Sequence, residues 1–125
     1  MNEIKILHLT LKLKWFLEIA VGYKTIEYRE IKPYWNSRLI NREYDEVHFR
    51  NGYRADSPFM RVTYLGATPV HLEEGMFFAI GLGAVLEVKN INLNSYANPW
   101  LTELSVRGMR SGFVSEFFAP GNILT

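Results

Sequence analysis

The chain has 125 residues, enough for one hydrophobic core and too few for two independent ones. Its 48% hydrophobic, 14% aromatic and 22% charged content is that of a folded globular domain and argues against intrinsic disorder. The absence of cysteine excludes disulfides, thiol catalysis and thiolate metal sites and suits a cytoplasmic setting, while a net charge of only +1 argues against a general polyanion binder. The distribution of charge says more. Residues 1–64 carry 11 Lys and Arg against 8 Asp and Glu, and residues 65–125 carry 3 against 5. A basic N-terminal half that is also rich in Tyr and Trp suits phosphate and base together, although ordinary surface variation produces such an imbalance as well. Met1-Asn2-Glu3-Ile4-Lys5 lacks the layout of a signal peptide. The longest uncharged apolar run, Gly75 to Leu86, falls short of the ~18 residues that span a bilayer, so no membrane partner is expected.

In chain order, Ile4 to Leu11 alternates, with Leu7, Leu9 and Leu11 on one face, and reads as a strand. From Lys12 to Val21 the period changes to that of a helix, with Trp15, Phe16, Ile19 and Ala20 on one stripe and Gly22 as its stop. Tyr23 to Arg29 returns to strand. A second short helix begins at Glu30 to Pro33, the proline being tolerated in the first turn. Tyr44 to Arg50 is a strand with Val47 and Phe49 inward, and Asn51-Gly52 opens a polar loop through Ser57-Pro58. Met60 to Leu65 turns Met60, Val62 and Tyr64 inward. Met76 to Leu82 and Ala84 to Ile91 are a strand pair, or one strand bent at Gly81 and Gly83. Asn98-Pro99-Trp100 opens a third helix reaching Arg107, and the apolar residues 113–118 should dock on the barrel or on a second subunit. The expected fold is α+β: a small barrel of five or six strands with two or three short flanking helices, residues 1–91 forming the barrel and 92–125 a helical extension packed on it or on a homodimer partner.

The distinctive segment is Gly22-Tyr23-Lys24-Thr25-Ile26-Glu27-Tyr28-Arg29. Three charged side chains follow a helix stop on a strand that should be partly buried, where an unpaired charge is costly. Glu27 and Arg29 share a face with Thr25 by strand parity, and Lys24 joins them only if it sits in the turn that Gly22 frees. One reading gives Lys24 and Arg29 phosphate or carbonyl recognition, with Glu27 orienting Lys24 or accepting from a base amino group. The other makes the three a salt-bridge network tying helix to strand.

The spacing Gly-x-Lys-x-x-Glu-x-Arg, as Gly22, Lys24, Glu27 and Arg29, resembles the signature of the ASCH family, a branch of the PUA-like superfamily. The flanking blocks are similar too: His8-Leu9-Thr10-Leu11 with Trp15-Phe16, Tyr28 to Trp35, Val47 to Tyr53, and Ile80-x-Leu82-Gly83 resemble bacterial and phage members. The likeness covers roughly residues 4–91. It implies a PUA-like barrel with a cleft facing the motif and a role in RNA binding. Some relatives are enzymes, one type resembling an amidohydrolase that deacylates acylated cytidine and another described as a ribonuclease. The amidohydrolase type keeps a lysine matching Lys24 but has threonine where this chain has Glu27, and among Glu73, Glu74 and Glu87 no pattern picks out a second catalytic carboxylate. As a base Lys24 would have to be held uncharged, whereas the adjacent Glu27 favours the ammonium, which suits binding.

The expectation is therefore a module that binds RNA or a modified nucleoside through Lys24, Thr25, Glu27 and Arg29, with His48, Arg50, Asn51 and Tyr53 as rim contacts. Lys24 and Glu27 would be catalytic only if the protein is a hydrolase, and a protein-interaction module with a structural charged trio is a further possibility. No cofactor is expected. The three histidines, His8, His48 and His71, have no metal-ligand spacing. Tyr34 and Trp35 either form a stacking platform or, for Trp35, plug the barrel end. No phosphate-binding glycine loop or serine-nucleophile context is present.

Overall fold

A computed structural model describes residues 3–93. The elements follow in the order β1 (Ile6–Thr10), α1 (Leu13–Ala20), β2 (Ile26–Glu30), α2 (Pro33–Leu39), β3 (Glu46–Arg50), β4 (Phe59–Leu72) and β5 (Gly75–Lys89). The expected helix from Asn98, the docking of residues 113–118 and the dimer built on them lie outside the described residues.

The five strands form one sheet in the order β1-β3-β4-β5-β2, with β1 parallel to β3 and every other pair antiparallel. Of the two readings of Met76 to Ile91 the single strand holds, as β5 over Gly75–Lys89, which brings the strand number among the described residues to the lower of the two expected values. The hairpin of β4 and β5 turns on Glu73-Glu74 and closes with the pair Leu72–Gly75. Strands of 14 and 15 residues are too long to pair flat. Their register breaks three times between Arg61 and Ala67, and Gly66 sits there at φ 112°, a conformation that side chains resist. A Cβ on Gly83 would stand 3.1 Å from the Thr63 Cβ, so the strands approach where the glycine leaves room. The irregularities bend the hairpin, and the sheet curls into a half-barrel.

Alternation fills the inner face. Leu7 and Leu9 of β1, Val47 and Phe49 of β3, Met60 and Val62 of β4, and Ile80 and Leu82 of β5 are all buried. Helix α1 adds Phe16, Leu17, Ile19 and Ala20. Trp15, expected on this stripe, is instead 38% exposed: eight residues make barely two turns, and Phe16, Ile19 and Ala20 already fill the contact face. Its ring carries Lys14 Nζ at 4.6 Å and Lys24 Nζ at 5.2 Å. Among the described residues no helix is long and apolar enough to cross a membrane.

Among the described residues the curl does not close by strand pairing. β1 and β2 are the two edges of the sheet, and the seam between them is spanned by a side chain, Arg29 Nη2 donating to the Thr10 carbonyl at 2.9 Å. Asn51 Nδ2 caps the Leu11 carbonyl beside it at 2.9 Å. Edge groups that a sixth strand would satisfy are met by side chains, and α2 lies alongside.

Candidate functional site

Helix α1 ends as its sequence directs. Gly22 takes φ 83°, and the Tyr23 and Lys24 amides both donate to the Glu18 carbonyl. This turn holds Lys24 outside β2, so that it escapes strand parity and reaches Glu27, with Nζ 3.5 Å from Oε1. Two residues further on, Arg29 donates from Nε and Nη2 to Glu27 Oε2 at 3.0 and 2.8 Å. Glu27 pairs with Ile80 across the ladder and faces the inside of the curl, where its side chain is only 9% accessible.

One carboxylate thus serves two cations. A trio left free to meet a ligand, one of the two expectations, is not what these contacts describe: Glu27 is engaged on both oxygens, and Lys24 is further held over Trp15 and, at 5.6 Å, over Tyr28. Thr25 contributes its carbonyl to the Leu82 amide. Of Lys24, Thr25, Glu27 and Arg29, Arg29 is the one that lines a cleft. Glu27 fixes its guanidinium, the Thr10 carbonyl takes one amino group, and Trp35 lies 5.2 Å from its carbon centre.

The space it reaches is a cleft of about 260 Å³ along the seam. His8, Leu9 and Thr10 form one wall, Arg29, Tyr34 and Trp35 another, and His48, Arg50 and Tyr53 complete it. Of the residues expected at the rim, His48, Arg50 and Tyr53 are present, and Asn51 stands behind them on the Leu11 carbonyl. Tyr34 and Trp35 meet edge to face at 4.7 Å, and Tyr53 is 90% exposed on its loop. His8 had no predicted role. Its signal is in the parallel pairing of β1 and β3, which sets it opposite His48 with ring centroids 5.6 Å apart. A parallel pair far apart in the chain leaves no mark in local spacing.

Behind the cleft the outer face of the sheet carries a second ionic cluster. Arg61 grips Glu46 with two hydrogen bonds, of 2.9 and 3.0 Å, and reaches Glu87 at 3.3 Å, while His48 Nε2 meets Glu46 Oε1 at 2.9 Å. The Arg61 hydrogen bonds hold the Glu46 carboxyl down at about 2, with a smaller contribution from His48 and against the opposing effect of burial. His8 is lowered by burial first, then by His48 and Arg50. Because the Glu46 value is depressed on folding, its stabilisation is complete above the ordinary carboxylate value of 4.5 and is lost as pH falls through about 2. In Glu46→Gln, unfolding at pH 7 should require about 1–2 kcal/mol less, screened by the nearby solvent, and stability should fall less between pH 4.5 and 2; urea titrations across that range measure both.

A larger hollow of about 800 Å³ lies between the end of α2 and the β4 irregularity, with Tyr44 and Tyr64 edge to face at 5.3 Å. Its charges, Arg42 and Glu43, are of opposite sign, and the Tyr44 hydroxyl is already donated to the Arg38 carbonyl. It converges nothing on a ligand. The smaller cleft gathers two guanidinium groups, two imidazoles and three aromatic rings, and is the candidate site. Among the described residues no group of His, Asp and Glu is arranged to hold a metal ion. No protein-family model, curated protein or solved structure matches the chain.

Proposed function

We propose that the protein is an ASCH-type, PUA-like domain that binds RNA or a modified nucleoside in the seam cleft. One observation carries this reading: Arg29 and Arg50 line a hollow of about 260 Å³ together with Tyr34, Trp35 and Tyr53. Guanidinium groups take phosphate, and aromatic rings take the face of an unstacked base. Lys24, the lysine that amide hydrolysis would require, is paired with Glu27 and is not among the cleft walls, which supports binding over deacylation. The Lys24–Glu27–Arg29 network acts as the brace that aims Arg29.

Titration of the four nucleoside 5′-monophosphates and of short single-stranded RNA, followed by tryptophan fluorescence, tests the proposal. Saturable binding is expected that weakens as salt rises. Arg50→Ala should weaken it about tenfold and reduce the salt slope by about one. Binding that survives both Arg50→Ala and added salt unchanged would refute the site.

A second reading, RNA cleavage, is favoured by the histidine pair. His8, its pKa lowered first by burial and then by His48 and Arg50, would take the proton of a ribose 2′-hydroxyl as its oxygen bonds to phosphorus. The bond from phosphorus to the 5′-oxygen would break, with His48 supplying the proton to the leaving oxygen. The products are a 2′,3′-cyclic phosphate and a 5′-hydroxyl, and His8→Asn and His48→Gln should each abolish them. RNA left intact by the wild-type protein leaves the binding module.

A further inference from the structure

We infer that the site is built for a single RNA strand of several nucleotides rather than for an isolated nucleoside, with a second phosphate position beyond the cleft at Arg50 and Lys89. The inference rests on the cleft reading above.

The register of the sheet carries it. Thr10 pairs with Arg50, Arg50 with Phe59, and Phe59 with Lys89, so these four residues form one row across β1, β3, β4 and β5 on the outer face. Phe59 is 5% exposed because it lies beneath its neighbours: the Arg50 guanidinium stands 4.5 Å and the Lys89 ammonium 4.9 Å from its ring centre. Two like charges two strands apart, about 10 Å, are thus held on one aromatic pedestal. Neither has an ion-pair partner among the described residues, whereas Arg29, Lys24, Arg54 and Arg61 are each matched with a carboxylate.

The adjacent row explains the direction. His8, His48, Arg61 and Glu87 lie one step along the same face, where Glu46 and Glu87 flank a single arginine. Glu87 lies in that row and Glu46 in the one beyond it, so the carboxylates gather on that side, where they disfavour phosphate; the Arg50–Phe59–Lys89 row carries none. Since Arg50 belongs to both the cleft wall and the row, a strand with one base in the cleft runs from Arg50 across the strands toward Lys89. Phe59 is covered and cannot stack with a base, so this extension reads backbone charge and not sequence.

The test compares each nucleoside 5′-monophosphate with the matching homo-tetranucleotide at about 0.1 M salt. The tetranucleotide should bind at least about tenfold more tightly and with a steeper salt dependence, by about one further charge. Lys89→Ala should cut the ratio of the two affinities about three- to tenfold, and Lys89→Arg should restore it. Lys89 is exposed, so neither variant threatens the fold, and a thermal melt checks this. Monophosphates and tetranucleotides of equal affinity, or a ratio indifferent to Lys89→Ala, would overturn the inference while leaving the cleft reading intact. No binding of either probe would overturn both.

Discussion

Glu27→Ala should lower the free energy of unfolding by about 3 kcal/mol, although the side chain touches no part of the proposed ligand path. Removing one carboxylate leaves an ammonium and a guanidinium together at the seam, with side chains only 17% and 19% accessible. The cost of such a change comes from two like charges left together and mostly buried, with the cleft side of Arg29 open to water. For a domain of this size the melting temperature should fall by about 10–20 °C. Glu27→Gln keeps one acceptor for Arg29 and should lose less. Urea denaturation of the two variants provides the measurement, and a loss below about 1 kcal/mol in Glu27→Ala would mean that the pairs are screened like surface salt bridges. The same variant should also weaken ligand binding, since Arg29 would keep its bond to the Thr10 carbonyl but lose the two that orient its plane.

Trp35 is the second place where a single change should matter most. Its ring packs against the core, meets Tyr34 edge to face and lies next to the Arg29 guanidinium while forming part of the cleft wall. Trp35→Ala should cost about 2–3 kcal/mol of stability, below the value for a fully buried tryptophan because the residue is only partly buried. It should also weaken nucleotide binding by about 1–3 kcal/mol, the worth of one stacked base. Trp35→Phe separates the two effects: much of the packing remains, so stability should recover further than affinity. Chemical denaturation gives the first quantity, and calorimetric titration, well below the melting transition, the second. Undiminished affinity in the alanine variant would remove α2 from the binding surface.

Both predictions follow from how the sheet ends. A fully hydrogen-bonded barrel would have bound β1 to β2 and left no opening at that place. Here the two edges face one another across a gap bridged by Arg29, with Asn51 of the loop after β3 capping the Leu11 carbonyl at its rim, and α2 lays two aromatic rings along it. The opening is therefore polar on its strand side and aromatic on its helix side. A phosphate and a base require those two surfaces together.

Much of the fold was legible because it rests on local patterns. The alternation of Leu7 with Leu9 and of Val47 with Phe49 marks buried strand faces, and the helical stripe of Phe16, Ile19 and Ala20 marks the face of α1. Gly22 announced the turn that carries Lys24 to Glu27, and Pro33 the start of α2. Trp15 misled because a two-turn helix buries too narrow a stripe to include it. Of the motif residues, Arg29 alone enters the cleft wall, since the carboxylate between the two cations satisfies both.

By itself the sequence determined where the strands and the two described helices lie, which side of most is apolar, and that a lysine, a glutamate and an arginine meet at the exit of α1; it stopped β4 at Leu65, whereas the strand runs on past the Gly66 irregularity to Leu72. Only the tertiary structure decided that β1 pairs in parallel with β3, that the curl of the described residues stops short of closure, and that His8, Arg29, Trp35 and Arg50 border one hollow. The reason is physical. Periodicity is written within a few residues by the geometry of one helix turn or one pleat, whereas the partner of an edge strand depends on how far the whole sheet twists, a property summed over β4 and β5 that no short segment contains.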